Sequence, residues 1–179
     1  MSQAFLPIYY LPSLAQWLRY LLILASVQFL FFTGLAVAGP TFERSTPEQA
    51  KAMVKRAIEY FKEHGKEKAF AEFNDPKGQF VKGDLYLFAF NLNGDGVQLV
   101  HGNNPKMLGK NVLDMRDSDG KFMIRAFIEV ANSKQGSGWV DYKWPNPITK
   151  VSEVKLSYVE RVGDIFIGCG AHEKAETEK

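Results

Sequence analysis

The chain has 179 residues, and its 22 basic and 20 acidic side chains leave a formal charge of +2. This length fits one domain with a short appendage. The basic residues are interspersed with acidic ones, which excludes the basic stripe of a nucleic-acid-binding protein. Cys169 is the single cysteine, so an intrachain disulfide, a cysteine-pair metal site and a c-type haem motif are excluded.

Residues 1–38 differ from the rest of the chain because they carry one charge, Arg19, ahead of the apolar run 21–35. Ala36-Val-Ala38 then supplies a small-x-small cleavage pattern, and Gly39 follows. This order is typical of a secretory signal peptide cut between Ala38 and Gly39. The apolar run is also close to the length of a membrane span, so a retained N-terminal anchor is the alternative. Both alternatives predict export of the remaining chain, to the periplasm or to the outer side of the cell membrane.

The exported part begins with a predicted helix. Thr46 suits the N-cap, Pro47 suits the first helical position, and Gln49 completes a capping box. Gly65 predicts the end of this helix, and residues 67–73 predict a second, short one. Apolar residues recur with helical spacing and form one face, namely Ala50, Met53, Val54, Ala57, Ile58 and Phe61.

Strand patterns dominate the remainder. Residues 85–91 predict a strand covered on both faces, and residues 93–96 a hairpin turn that returns through residues 97–101. An irregular loop follows at residues 102–111, and a helix is predicted from about Phe122 to Ser133. Three further strands are predicted at residues 139–144, 154–160 and 165–171. This order predicts an α+β fold with an antiparallel sheet of about five strands.

No residue set forms a catalytic constellation. Cys169 and His172 are three residues apart on a predicted strand, so they point to opposite faces and do not form a nucleophile-base pair. The segments 136–138 and 168–170 lack the third glycine of a dinucleotide loop. We therefore expect a protein that is not an enzyme and that needs no cofactor.

Acidic segments give no metal site. Asn91, Asn93 and Asp95 copy half of a calcium-binding loop, but Gly102 stands where the bidentate glutamate belongs, so a hairpin turn explains the segment. The aspartates before the second helix predict a solvated loop near a helix N-terminus. They are Asp114, Asp117 and Asp119.

The segment GSGWVDYKWPNP, residues 136–147, gathers three aromatic side chains. Tyr142 and Trp144 share one face of the predicted strand, and Trp139 takes the other. A purely core role is possible because aromatic residues suit strands. Lys155 and Tyr158 on the next strand favour the alternative, in which a cation among aromatic rings forms one side of a pocket for a small anion.

Four segments together resemble a known family, the single Cache domain of type 2. They are HGKEKAFAEFNDPKGQFVKGDLYLFAFN, HGNNPKMLGKN, GSGWVDYKWPNP and LSYVERVGD. The resemblance implies a PAS-like domain over residues 39–172, followed by a charged tail at 173–179. A long N-terminal helix would pack on a central antiparallel sheet, with loops and a short helix over the ligand side. It also implies extracytoplasmic sensing of small molecules, including small carboxylates.

The same resemblance implies a ligand pocket built from the strands and the loop above them. Its residues would be Tyr86, Phe88, Phe90, His101, Asn104, Met107, Trp139, Tyr142, Trp144, Lys155 and Tyr158.

Two features depart from the chemotaxis receptors that carry this domain. The given chain ends eight residues after Ala171, where such receptors continue into a second span and a signalling module, and His172 stands where relatives carry an aromatic residue. We therefore expect a sensory binding module without its own output domain, which presents a small organic acid to a partner such as a membrane receptor. The alternative is a structural or interaction subunit with a degenerate pocket, which is favoured by a lysine in place of the better carboxylate-binding arginine.

The signal-peptide interpretation predicts a mature protein that begins at Gly39, since Ala36 and Ala38 supply the small residues of the cleavage site. N-terminal sequencing of the protein from the envelope fraction measures this directly. Membrane-bound protein with Met1 or Ser2 intact would establish the anchor instead.

Overall fold

The structure is a computed structural model that describes residues 43–173. The predicted signal peptide or anchor, its cleavage site and nearly all of the charged tail lie outside these residues. Within them, no helix combines the length and the apolar character needed to cross a membrane.

Helix α1 spans Pro47–Phe73 and begins at the predicted capping box. Thr46 Oγ1 accepts a hydrogen bond from the Gln49 N–H (3.3 Å), and Gln49 Oε1 accepts one from the Thr46 N–H (2.9 Å). Both bonds satisfy donors that have no partner inside the helix. Gly65 adopts φ 76° and ψ 168°, so it interrupts the helix before the chain resumes helical geometry. The predicted break is confirmed as a kink within one element.

The sheet has six antiparallel strands in the order β1-β2-β6-β5-β4, and β3 also pairs with β2. They are β1 (Val81–Lys82), β2 (Leu85–Asn91), β3 (Gln98–His101), β4 (Ser137–Pro145), β5 (Ser152–Val162) and β6 (Ile165–His172). Five of them correspond to predicted strands. β1 is too short to show an alternating pattern, so the sequence did not indicate it. The predicted α+β fold and the antiparallel sheet are confirmed.

One face of the sheet is covered by α1, which lies against β2, β5 and β6. Leu87, Ile167 and Cys169 contribute to the apolar core from the sheet side. The predicted apolar face of the helix is confirmed, with Phe61 partly buried at its border. The buried residues of α1 are Ala50, Met53, Val54, Ala57, Ile58, Ala69 and Phe73.

The other face of the sheet carries α2 (Met123–Asn132), which lies against β4 and β5. The connection from β3 to α2 contains a single 3₁₀ turn, Pro105–Met107, and runs over the same face. A second apolar cluster fills this side, with Phe88, Phe127 and Phe166 among its members. This side of the sheet is called the pocket face below.

The acidic segment before α2 covers the free edge of β4. Asp117 Oδ1 accepts hydrogen bonds from the backbone N–H groups of Asp119 and Lys121, and its Oδ2 accepts one from the Lys143 N–H (3.0 Å). Lys121 Nζ donates to the backbone oxygen of Asp141 (2.6 Å). An edge strand otherwise offers unpaired groups to other chains. Asp117 therefore does more than line the predicted solvated loop, because it accepts a backbone N–H at the edge of β4.

Ile58→Ala should destabilise the protein by about 2–5 kcal/mol, because it empties a buried site between α1 and the sheet. Urea unfolding followed by far-UV circular dichroism measures the change. Glu59→Ala, at the exposed neighbouring position, is the control and should leave the midpoint nearly unchanged. A change in oligomeric mass without loss of stability would instead make α1 an interface and contradict this architecture.

Candidate functional site

A β-bulge in β3 aims two side chains at the pocket face. Phe88 pairs with His101, whereas Phe90 pairs with Gln98, so Leu99 is an extra residue between the two pairs. Without it, Gln98 and His101 would point to opposite faces, because side chains alternate along a strand. The bulge places both of them on the side of Phe88 and Phe90.

These side chains help to enclose a cavity of about 30 Å³ on the pocket face. A cavity this small favours a ligand of few non-hydrogen atoms. The strand residues that line it are Tyr86, Phe88, Phe90, Gln98, His101, Tyr142 and Trp144. The loop and α2 add Met107, Val112, Met115, Met123, Ile124 and Phe127. Seven of the predicted pocket residues therefore lie together around one cavity.

His101 faces the cavity as a neutral hydrogen-bond donor. Its Nδ1 accepts a hydrogen bond from the Asn104 N–H (3.0 Å), so the neutral ring carries its proton on Nε2. Burial, reinforced by the charge of Lys155, lowers the pKa of His101 from 6.5 to about 4. Asn104, a predicted pocket residue, lies outside the lining, where its side chain accepts a hydrogen bond from the Lys106 N–H. It contributes to the site through His101.

Two tyrosines add further neutral donors. The Tyr86 ring stacks on His101 with a centroid distance of 5.0 Å. The Tyr142 hydroxyl lies 3.1 Å from Ser157 Oγ. Burial raises the pKa of Tyr86 well above its usual value and that of Tyr142 to about 12. Both phenols therefore keep their protons at neutral pH.

Lys155 places a buried nitrogen behind these donors. The residue has no exposed surface, and its Nζ lies 3.8 Å from the centroid of the Tyr86 ring. No residue between 43 and 173 accepts a hydrogen bond from that Nζ. Burial lowers the pKa of Lys155, since the ammonium loses its hydration. An unpaired buried ammonium is costly, so this position favours the arrival of an anion.

Two glycines of β6 make room for this arrangement. A Cβ on Gly168 would lie 2.4 Å from the Phe88 ring. A Cβ on Gly170 would lie 2.1 Å from Ser157 Oγ and 2.9 Å from Lys155 Cε. Glycine inside a strand often marks such a close approach. The segment 168–170 is therefore part of the site, although its glycines suggest only an incomplete dinucleotide loop from the sequence.

Two predicted pocket residues have to be reassigned. Trp139 and Tyr158 contact each other edge to face, with centroids 5.1 Å apart, and Tyr158 belongs to the α1 core. The reason is the two-residue period of a strand. Trp139 lies three residues before Tyr142, and Tyr158 lies three residues after Lys155, so each points away from the pocket face.

The predicted separation of Cys169 and His172 is confirmed. Cys169 lies in the α1 core, where its Sγ is 3.7 Å from Met53 Sδ and burial raises the pKa of its thiol to about 12. His172 lies on the pocket face, opposite Lys155 in the neighbouring strand. Among the residues the structure describes, none hydrogen-bonds to either ring nitrogen of His172. The two side chains cannot act as a nucleophile and its base.

Two carboxylates, Glu153 and Asp84, lie near Lys155 and His172, but both are hydrogen-bonded to other side chains or to backbone groups. Glu153 accepts hydrogen bonds from Arg44 (2.6 and 2.8 Å), from Asn146 (2.8 Å) and from Thr149 (3.0 Å). The Arg44 guanidinium is the main reason that the pKa of Glu153 falls to about 2. Asp84 accepts backbone N–H groups instead. Neither carboxylate forms an ion pair with Lys155.

Acid should destabilise the protein through His101 and His172, whose pKa values both fall from 6.5 to about 4, chiefly through burial. The unfolded chain takes up these protons first, so stability declines as pH drops from about 6.5 to about 4. Each residue contributes a loss of up to about 3 kcal/mol. The contribution of Glu153 is lost lower, between about pH 4.5 and 2, because its pKa is depressed in the folded state.

Urea unfolding at a series of pH values measures this decline. His101→Asn and His172→Asn should each flatten the profile above pH 4, whereas His64→Gln, at an exposed position of α1, is the control. A wild-type stability that stays constant from pH 6.5 to pH 4 would contradict the prediction.

Comparison with known proteins supplies the family. A family model of the Cache domain matches residues 77–179. The sensor histidine kinase MctS of Rhizobium johnstonii is 37% identical over 76 residues, which cover 42% of this chain and 16% of that protein. The methyl-accepting chemotaxis protein McpP of Pseudomonas putida is 26% identical over 147 residues, 82% of this chain and 22% of that protein. The chain thus matches about a fifth of the length of these curated relatives.

Solved structures share the fold. A methyl-accepting chemotaxis protein from Vibrio parahaemolyticus superposes with a TM-score of 0.60 at 19% identity, over 88% of this chain and 96% of that one. A Cache chemosensory domain solved for its carboxylic acid recognition gives a TM-score of 0.59 at 23% identity, over 71% and 92%. The expected PAS-like arrangement of helix and sheet is therefore confirmed. With a family model that covers more than half of its length, the chain belongs to the Cache domain family.

Proposed function

We propose that this protein is an extracytoplasmic sensor module that binds short monocarboxylic acids. The observation that carries the proposal is Lys155, a fully buried lysine beside the cavity whose Nζ meets no hydrogen-bond acceptor in the described part of the chain. A carboxylate would supply the missing negative charge. The proposal rests on this charge and on the donors that surround it.

The donors suit a carboxylate better than a neutral ligand. Tyr86, Tyr142 and the Nε2–H of His101 can donate to an anion, and none of them brings a competing negative charge at neutral pH. Hydrogen bonds to an ionised acceptor are roughly twice as strong as those between neutral groups. Lys155 lies behind the Tyr86 ring, so its charge acts across a short, water-poor distance.

The rest of the lining limits the ligand to a short apolar tail. Val112, Ile124 and Phe127 are apolar, and Met107, Met115 and Met123 add flexible thioether chains. No lysine or arginine occurs among the described residues that line the cavity. A dicarboxylate would bury a second charge without a partner, which favours acids with a single carboxyl group.

Relatives support a sensory role and an extracytoplasmic location. One neighbour in fold is a Cache chemosensory domain that recognises carboxylic acids, and another is the periplasmic sensor domain of a chemotaxis protein. MctS and McpP are a sensor kinase and a chemotaxis protein. We propose binding rather than turnover because these relatives are sensors and because burial keeps both tyrosines of the lining protonated.

Lys155→Met should weaken binding of the preferred acid by about 1.5–3 kcal/mol, or roughly 10- to 100-fold, since it keeps the stem and deletes the charge. Without ligand its melting temperature should equal or exceed that of the wild type, because a buried charge with no partner is removed. Thermal-shift screening and isothermal titration calorimetry with acetate, propionate and butyrate measure both effects. Succinate serves as the dicarboxylate comparison.

Lys143→Met is the matched control, since Lys143 lies on the adjacent strand and pairs with Asp119 at the surface. It should leave the affinity unchanged. An affinity that survives Lys155→Met would remove Lys155 from the site. A wild-type protein that no acid stabilises would overturn the proposed function and favour the alternative, a subunit with a degenerate pocket.

A further inference from the structure

Gln98 is the one polar residue of the cavity lining that stands apart from the other four. Tyr86 stacks on His101, and Tyr142 contacts Trp144 edge to face. Among the described residues, no hydrogen bond joins Gln98 to any of them. A polar side chain with 3% exposure in an otherwise apolar part of the cavity needs an explanation.

The position of Gln98 follows from the bulge at Leu99. His101 pairs with Phe88 and Gln98 pairs with Phe90, so Gln98 lies about 7 Å further along β2 from the Tyr86 end. This offset is about the span of a three- or four-carbon acid together with its hydrogen bonds. A carboxylate held near His101 would therefore direct its far end towards Gln98.

The orientation of the Gln98 amide is fixed by the backbone. Its Nε2 donates to the Val100 carbonyl oxygen at 2.6 Å, and a carbonyl oxygen can only accept, so the amide nitrogen must occupy that side. The strand itself is held by the bonds from the Gln98 N–H to Lys110 O and from the Gly109 N–H to Gln98 O. Oε1 is left as an acceptor to which no described residue donates.

We infer that Gln98 is a specificity-determining residue that selects hydroxy monocarboxylic acids over unsubstituted acids of the same size. The free Oε1 accepts a hydrogen bond from the ligand hydroxyl, while the carboxylate takes the Lys155 end. The inference rests on the proposed function, because it assumes that the carboxylate binds there. A leucine or methionine would fill the position without leaving an acceptor unpaired, so packing alone does not call for glutamine.

Pairs of acids with equal numbers of non-hydrogen atoms test the inference. 3-Hydroxypropionate and butyrate differ by a hydroxyl in place of a methyl group, and lactate and 2-methylpropionate differ in the same way at the neighbouring carbon. In an apolar pocket the methyl compound should bind better. Here the wild type should bind the hydroxy acid of at least one pair about 3- to 10-fold more tightly, as expected for one hydrogen bond between neutral groups.

Gln98→Met keeps the length of the side chain and removes the acceptor. Isothermal titration calorimetry should show that it abolishes or reverses the preference while butyrate binds as well as before or better. Gln135→Leu, at an exposed position after α2, is the control and should keep the preference. Gln98→Leu provides a second variant if the methionine variant does not fold by circular dichroism.

The outcomes separate this inference from the proposed function. If the wild type binds neither these four acids nor acetate and propionate, the proposed function itself is overturned. If it binds acetate or propionate but none of the four, only the role of Gln98 is overturned. If it binds them but prefers the methyl compound in both pairs, or if the hydroxyl preference persists in Gln98→Met, only the role of Gln98 is overturned. A preference that the wild type shows and Gln98→Met loses would support the assignment.

Discussion

The pocket face of this domain is organised around a buried lysine that has no neutralising partner. Lys155 lies across from Tyr142 on one strand and from His172 on the other, with its Nζ over the Tyr86 ring. An aromatic face stabilises a desolvated cation by about 2 kcal/mol or somewhat more, which is much less than the cost of burying the charge. Asp84 is the buried carboxylate that attracts Lys155, but it accepts backbone N–H groups and forms no ion pair with the lysine. Glu153 is held by Arg44. The position of Lys155 in the sheet therefore favours binding of an anion on the pocket face.

Local signals made most of the fold predictable. The capping box at Thr46 and the kink at Gly65 involve residues close in sequence, and the long strands show their alternation over many positions. The two-residue strand β1 has no such pattern, and it forms only because β2 lies beside it. The role of Asp117 could not be predicted either. The backbone N–H from which it accepts a hydrogen bond belongs to Lys143, on a strand 26 residues further along the chain.

The site was predictable to the extent that strand alternation was applied to it. That rule correctly put Trp139 opposite Tyr142. The same rule separates Lys155 from Tyr158, which the cation-among-aromatics pattern had wrongly grouped in one pocket wall. Gln98 was beyond local reasoning, because a bulge depends on the pairing between β2 and β3. Gly170 did carry a usable signal, a glycine inside a strand, which indicates a close approach of some other group.

Strand β5 carries side chains on both faces of the sheet, and Lys155 is one of those on the pocket face. Lys155 and Ser157 point to the pocket face. Tyr158 and Glu160 point to the other face, where they contact α1. Lys51 lies over the Tyr158 ring, and Lys55 pairs with Glu160. A strand is nearly inextensible, and its neighbours β4 and β6 fix it along its length. Because one backbone carries both sets of side chains, the position of Lys155 on the pocket face is tied to the contacts that β5 makes with α1.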